Sequence, residues 1–470
     1  MSGAAEGADG GPLSQHQALR DRFEKERAAQ DQTDQRFSIV QLTLFGLAAV
    51  LAGSGLFRGD WILAAGGGAA FLVFLVVRGF QGRTMARRDR ATTRRDLHDR
   101  HVKRMTGQWD ALPEPYATIP PGHPYASDLD IVGKASLLQR IDTTHTAAGA
   151  KTLTGWLASP ATREEIAARQ AAVVELAPLV DFRAELEGAV LDTGRERLDP
   201  GPFVEMMDRK GVHETKPWLK IVSPLLPMVT VGLLIAGNYV AGFPGWAFLL
   251  PLAVQIAIVR STEARAREIY EAMGSKKGFV DAYANLFEVV EGHAFESPLL
   301  EDAKTRLRIE GAPPSTQLRR LDRWVSWYEL REQGIVWIVV NPLLLWDLNC
   351  LIGIERWIRV VGRKCGEWFD VVGQIEALAS LSVLKHQDLS ATMPSVVDGE
   401  QGLEASQIAH PLLPAADRVA NDVSIDGPGR CLIVTGSNMA GKSTLLRAVG
   451  VNVALALAGG PVIARAMTVP

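Results

Sequence analysis

The sequence predicts a mostly α-helical membrane protein with two transmembrane helical hairpins, an all-α region of long helices, and the first part of an α/β P-loop domain towards its C-terminal end. Three observations lead there. Two pairs of charge-free apolar runs are flanked by arginine and lysine, residues 261–390 read as long helices rich in Leu, Val, Trp and Arg, and Gly436 to Ser443 spell GxxxxGKS.

The first apolar pair occupies residues 37–57 and 61–77, separated by Arg58-Gly59-Asp60. Each run is about as long as a helix needs to cross a ~30 Å hydrocarbon layer at ~1.5 Å per residue, and the polar triplet is long enough for a tight turn. Phe57 and Trp61 are expected at the interface. Gly66-Gly67-Gly68 would weaken a buried soluble hairpin, the competing reading, but suits helices that pack closely in lipid. Arg20, Arg22, Lys25, Arg27 and Arg36 precede the pair, and Arg78, Arg83, Arg87, Arg88, Arg90, Arg94 and Arg95 follow it, so both ends are expected in the cytoplasm. That arginine run points to lipid headgroups before nucleic acid.

A second charge-free stretch, residues 221–259, has a turn at Gly242-Phe243-Pro244-Gly245 and is long enough for two spans. Pro224, Pro227 and Pro251 would break a soluble helix more severely than a membrane one. Lys216 and Lys220 before it, with Arg260, Arg265 and Arg267 after it, again place the ends in the cytoplasm. Residues 334–346 are apolar too. They are too short for a span, Asn341-Pro342 interrupts them and Asp347 follows, so a buried core helix is expected.

Composition limits the function classes. The 50 Lys and Arg against 53 Asp and Glu leave a formal charge of -3, so no whole-chain field draws the protein to nucleic acid. Cys350, Cys365 and Cys431 have neither metal-ligand nor paired spacing, and the nine histidines are scattered. A cleavable leader is not expected in the polar, mixed-charge residues 1–36.

Residues 431–435, CLIVT, read as a short buried strand running into the GxxxxGKS loop. Such a loop turns successive main-chain N–H groups around a polyphosphate; Lys442 is expected to reach the β and γ oxygens, and the Ser443 hydroxyl to ligate Mg²⁺. An apolar pattern through Leu445, Leu446, Val449 and Val453 continues to Leu457 and stops at Gly459-Gly460, which places a helix directly after the loop. The expected nucleotide contacts are Gly436, Ser437, Asn438, Met439, Ala440, Gly441, Lys442, Ser443 and Thr444, with ATP and Mg²⁺ as cofactors.

Residues 435–444, TGSNMAGKST, resemble the TGPNMxGKST loop of the MutS family of mismatch-repair ATPases, with Ser437 in place of its usual proline. His410-Pro411 and residues 419–423 resemble that family's HP and NDV segments. Residues 128–133, Ser136-Leu137-Leu138, residues 146–149, Trp156-Leu157, Pro160 and Arg169-Gln170 resemble the start of its core domain, and residues 376–381 the helix entering its ATPase domain. The resemblance implies a core and lever of helices, an ATPase that pairs with a second copy, and duplex DNA as partner. It departs from the family in lacking a mismatch-reading domain and clamp; Tyr328-Glu329, in mid-helix, is no substitute for the Phe-x-Glu wedge.

The expected divisions are a polar tail (1–36), hairpin 1 (37–78), a basic linker (79–124), a MutS-like core (125–220), hairpin 2 (221–260), lever and core helices (261–390) and part of a P-loop ATPase domain (391–470). No apolar strand ending in Asp-Glu follows the loop, so no catalytic residue is assigned and the chain as written is expected not to turn over ATP. The expected location is a bacterial inner membrane, soluble parts facing the cytoplasm. Arg306, Arg308, Arg319, Arg320 and Arg323 offer a local basic patch, although arginines scattered along helices more often form a solvated face. Two readings follow: an ATP-driven switch acting on DNA, or a nucleotide-gated membrane scaffold for a protein partner. An ABC-type transporter fits less well, because the spans carry no polar pathway.

Overall fold

The computed structural model describes residues 10–470 apart from 195–196, 208–215, 241, 273–277, 309–311, 331–333, 335–339, 398–400 and 438–440. It is mostly helical with a small amount of sheet. Helices α1 (Pro12–Arg58) and α2 (Trp61–Met105) form one long antiparallel hairpin. The turn falls where the polar triplet predicts. Gly59 is left-handed (φ 70°), and Asp60 caps α2 by accepting from the N–H of Ile62 at 3.0 Å. Of the three consecutive glycines, Gly67 faces α1: a β-carbon there would lie 2.5 Å from the Ala52 main-chain nitrogen, so only glycine allows this approach.

The hairpin corrects two expectations. Residues 12–36 and 79–105 are not a tail and a linker; they continue the helices beyond the apolar runs. Opposite charges hold these extensions together, with Arg95 3.1 Å from Glu24 and Arg88 3.7 Å from Asp31. Several arginines expected at lipid headgroups therefore pair with acids. In the apolar part Leu42, Phe57, Trp61 and Ile62 point outward, uncovered by the rest of the chain.

The core is built from α3 (Leu137–Ile141), α4 (Ala147–Ala158), α5 (Arg163–Leu176), α6 (Val180–Leu191) and α7 (Gly201–Met207). Next come α8 (Leu219–Tyr239), α9 (Leu249–Ala272), α10 (Phe279–Gly292), α11 (Pro298–Arg306), α12 (Pro314–Glu329) and the short α13 (Asn341–Leu344). Through the centre runs α14 (Trp346–Gln387), 42 residues long. Trp368, Val372, Ile375, Leu378 and Leu381 recur on it at spacings of three and four and are all buried, so its second half is the spine against which α4 and α5 pack.

Among the described residues three helices, α1, α2 and α8, are long and apolar enough to cross a membrane by length and composition. The fourth expected span is not among them. Charge resumes in α9 at Arg260, leaving about 16 Å of apolar helix after Leu249 at ~1.5 Å per residue, short of ~30 Å. The bases of α8 and α9 dock on the protein: Leu219, Ile258 and Val259 bury with Leu345 and Leu348, and Thr230 meets Gln255 at 3.0 Å. Of 334–346, the expected core helix, residues 335–339 lie outside the described residues; Asn341–Leu344 form the short α13, with Asn341 and Leu345 buried. Tyr328-Glu329 ends α12 rather than lying in mid-helix.

The strands are β1 (Ala391–Thr392), β2 (Ser395–Val396), β3 (Leu403–Ile408), β4 (Asn421–Ile425), β5 (Val462–Ile463) and β6 (Ala466–Val469). Four form a sheet in the order β2-β6-β3-β4, with β2 parallel to β6 and the other neighbours antiparallel; β1 pairs separately with β5. Between β4 and the remaining helix, α15 (Lys442–Leu457), the expected buried strand at 431–435 is absent. Leu432 and Ile433 are exposed in chain without regular secondary structure, and no described strand supplies the ladder that would pair with them.

Candidate nucleotide-binding site

Helix α15 spans the residues the apolar pattern predicts. Its N-cap, Gly441, is left-handed at φ 77°, so the chain turns sharply into the helix at Lys442. The first N–H of this helix to find a helical carbonyl is that of Leu445, bonded to Gly441 O at 2.9 Å. The N–H groups of Lys442, Ser443 and Thr444 therefore precede the helical ladder and sit at the positive end of the helix dipole. Lys442 Nζ donates to the carbonyl oxygens of Gly436 (2.6 Å) and Ser437, so its ammonium lies over the loop. Ser443 and Thr444 are exposed. The structure thus brings Gly436, Ser437, Gly441, Lys442, Ser443 and Thr444 together, while Asn438, Met439 and Ala440 lie outside the described residues.

These groups fit a phosphate: the N–H groups of the first turn, a lysine and a hydroxyl lie at a helix N-terminus, where an anion is favoured. Mg²⁺ would be met by Ser443 on this side.

A residue not singled out in the sequence fixes the helix. Asn452 is fully buried; its Nδ2 donates to Ala409 O (2.9 Å) and its Oδ1 accepts from Ile463 N (2.7 Å). It joins α15 to β5 and to the chain just before His410-Pro411. The available signal was a lone amide within the apolar run VNVALAL. His410 Nδ1 accepts from Leu412 N (3.1 Å), and burial lowers its pKa.

The core-start residues also meet this unit. Arg447 pairs with Asp130 at 2.9 Å, though both are half-exposed and such pairs contribute ~1 kcal/mol or less. Arg169 stacks on Trp156, its guanidinium carbon 4.1 Å from the ring centroid, and donates to Ala458 O beyond the end of α15 at 3.3 Å. Gln170 donates to Pro394 O at 2.8 Å.

The basic patch is less free than its sequence suggests. Arg306 lies 3.8 Å from Glu367, and Arg319 bonds Glu288 and lies 3.5 Å from Asp281. Arg320 and Arg323 instead line a small cleft with Trp324 and Trp327.

Helices packed on a central spine, joined to a small sheet and a glycine-rich loop at a helix N-terminus, define a helical scaffold carrying an anion-ready helix end. No family model matches the chain. It is similar to the DNA mismatch repair protein MutS of Chlorobium phaeobacteroides, 26% identical over 368 residues that cover 69% of this chain and 40% of that protein. It is also similar to endonuclease MutS2 of Bacillus velezensis (30% over 112 residues, 23% of this chain and 14% of that one) and to DNA mismatch repair protein MutS 1 of Haloarcula marismortui (40% over 100 residues, 21% and 10%). The protein is MutS-related. The chain spans well under half the length of each of these relatives.

Proposed function

We propose that this is a membrane-tethered, MutS-related protein that binds ATP with Mg²⁺ at residues 436–444 and couples that binding, through α14 and the core, to contact with duplex DNA. The observation carrying the reading is the placement of Gly441, Lys442, Ser443 and Thr444 at the end of a helix that Asn452 locks to the sheet. Lys442 would leave its loop carbonyls for the β and γ oxygens, the main-chain N–H groups would bind the phosphates, and Ser443 would hold the metal ion, whose charge offsets that of the phosphates. We assign binding, not hydrolysis, to these residues. Relatives named DNA mismatch repair proteins support DNA as the partner, and two copies would pair through their nucleotide domains.

The proposed membrane segments are hairpin 1 at 37–78, formed by α1 and α2, and hairpin 2 at 221–260, in which α8 crosses and the charge-free residues up to Val259 return so that its two bases meet on one side, with the domain divisions otherwise as the sequence suggests. The N-terminus, the core and the loop face the cytoplasm, in a bacterial inner membrane. Cysteines engineered at Gly59 and Pro244 test the topology. Both should react with an impermeant thiol reagent only from the outer side; reaction from the cytoplasmic side alone rejects it.

A second reading is a nucleotide-gated scaffold for a protein partner, favoured by the acids that occupy Arg306 and Arg319. Binding of duplex DNA to the full chain in detergent separates the two. Loss of about a thousandfold or more in affinity between 50 and 200 mM salt supports DNA contact through several phosphates. Absence of binding at low salt supports the scaffold.

A further inference from the structure

Away from the glycine-rich loop, a half-open cavity of about 720 Å³ lies where the end of α2, the start of the core, the end of α14 and the nucleotide unit meet. Its lining carries four guanidinium groups, those of Arg104, Arg140, Arg418 and Arg465, and a single carboxylate, Asp388. Asp388 is already shared, 2.7 Å from Arg418 and 3.2 Å from Arg140. Arg140 is buried and stacked on Trp109, and its Nη1 has no partner among the described residues. Burial, then the neighbouring Arg418, draws its pKa down to about 10, so it stays charged at neutral pH. Arg104 is buried too. Its Nη2 donates to Asp142 O at 2.6 Å, Glu187 and Asp142 are within electrostatic reach, and Nε and Nη1 have no partner among the described residues. Arg465 is exposed at the rim and makes no ion pair among the described residues.

A buried cation whose donors lack acceptors is costly unless an anion supplies them. One carboxylate cannot serve four guanidinium groups: Arg418 also donates to Leu413 O at 2.8 Å and Ser390 Oγ at 3.2 Å, but Arg104 and Arg140 keep donors without an acceptor among the described residues. Guanidinium forks match phosphate oxygens in paired hydrogen bonds, and the cavity falls within the ~300–1,000 Å³ common for small-molecule sites. Its other walls, including Met105, Leu413 and Ile463, are apolar and would suit an uncharged organic part. We propose that this cavity binds a soluble organic phosphate, its phosphate on Arg140, Arg418 and Arg465 and its organic part on the apolar wall. If α2 crosses the membrane as proposed above, the helix carries the cavity roughly 40 Å beyond the bilayer at ~1.5 Å per residue, which excludes a lipid headgroup as the source of the phosphate. Because the cavity shares no residue with the loop, the proposal stands whether or not residues 436–444 bind nucleotide.

Hydrogen exchange of the full chain in detergent reads both places separately, with AMP and inorganic phosphate as probes. AMP should slow exchange in 387–392 and 413–420 saturably, and should do so equally in Lys442→Ala. It should also bind more tightly there than inorganic phosphate. Arg465→Gln, at an exposed position, should raise the apparent Kd at least tenfold without changing the response of 436–446 to ATP; Arg140→Lys should do the same. The proposal is overturned by no protection at millimolar AMP, by protection confined to 436–446, by equal affinity for inorganic phosphate and AMP, or by an unchanged Kd in Arg465→Gln.

Discussion

The carboxylate of Glu376, buried in the second half of α14, accepts a hydrogen bond from the main-chain N–H of His145 at 2.9 Å and another from the Thr146 hydroxyl. Thr146 is the N-cap of α4 and accepts from Gly149 N at 2.9 Å, so one acid fixes both the approach and the first turn of that helix. The long spine and the start of the core are thereby joined by a polar contact inside an apolar core.

This acid should make stability depend on pH. Burial holds the Glu376 carboxyl up at about 7, against 4.5 in an unfolded chain. Between those values the native state binds more protons than the unfolded state, so this group's contribution falls as pH rises from about 4.5 to 7 and is level above that. The loss approaches about 3 kcal/mol at ~1.4 kcal/mol per unit. Glu376→Gln should flatten that part of the profile, measured as the urea midpoint in detergent; an unaltered slope would assign it to other groups.

A histidine cluster should act with the opposite sign. His16 from α1 and His98 from α2 place their Nδ1 atoms 3.0 Å apart, His101 meets Glu187 at 3.2 Å, and His386 from α14 packs its ring against His16. Arg94, Arg104 and Arg183 also face them. Burial lowers all four histidine pKa values, those of His98 and His386 to about 4. The unfolded chain takes up protons near 6.5 while the native one does not, so docking of α1 and α2 weakens as pH falls from about 6.5 to 4. Spin labels at Gln15 and Asp181, which line one shallow cavity, should move apart at pH 4.5, and less so in His98→Leu. Unchanged distances would show that the cluster does not govern docking.

Gly373 tests the packing of the spine. A β-carbon there would lie 2.7 Å from the Ala148 carbonyl carbon and 2.8 Å from Gly149 N, main-chain atoms that cannot rotate away. Overpacking costs ~1–3 kcal/mol against ~1 kcal/mol gained in helix propensity, so Gly373→Ala should lower the Tm. Gly366→Ala in the same helix meets only Val204 at 3.8 Å and should leave the Tm unchanged or raise it. Equal effects would mean that close approach is not what Gly373 provides.

Lys442→Ala should weaken ATP binding far more than ADP binding, because in the proposed role the ammonium leaves its loop carbonyls for the terminal oxygens and a charge-assisted contact contributes roughly 1.5–3 kcal/mol. Calorimetry with each nucleotide checks it, and equal losses would remove Lys442 from that role.

Periodicity and local chemistry made much of this protein legible from its sequence. The turn at Arg58-Gly59-Asp60 and helix α15 follow from apolar runs ending at residues that stop helices, information confined to a few neighbouring positions. The residues proposed to face phosphate could be picked out for the same reason, since a glycine-rich loop and the helix end after it are contiguous in sequence. Tertiary structure decided the rest. Only pairing with α1 made residues 79–105 a helical extension, because Glu24 and Arg95 are distant in sequence. Residues 431–435 are apolar enough for a strand, but a strand needs a hydrogen-bonded neighbour, which no local pattern supplies. Glu376, Asn452 and the four arginines around Asp388 acquire their roles from partners far along the chain; burial, and with it the energy of a polar group, is fixed only when those segments meet.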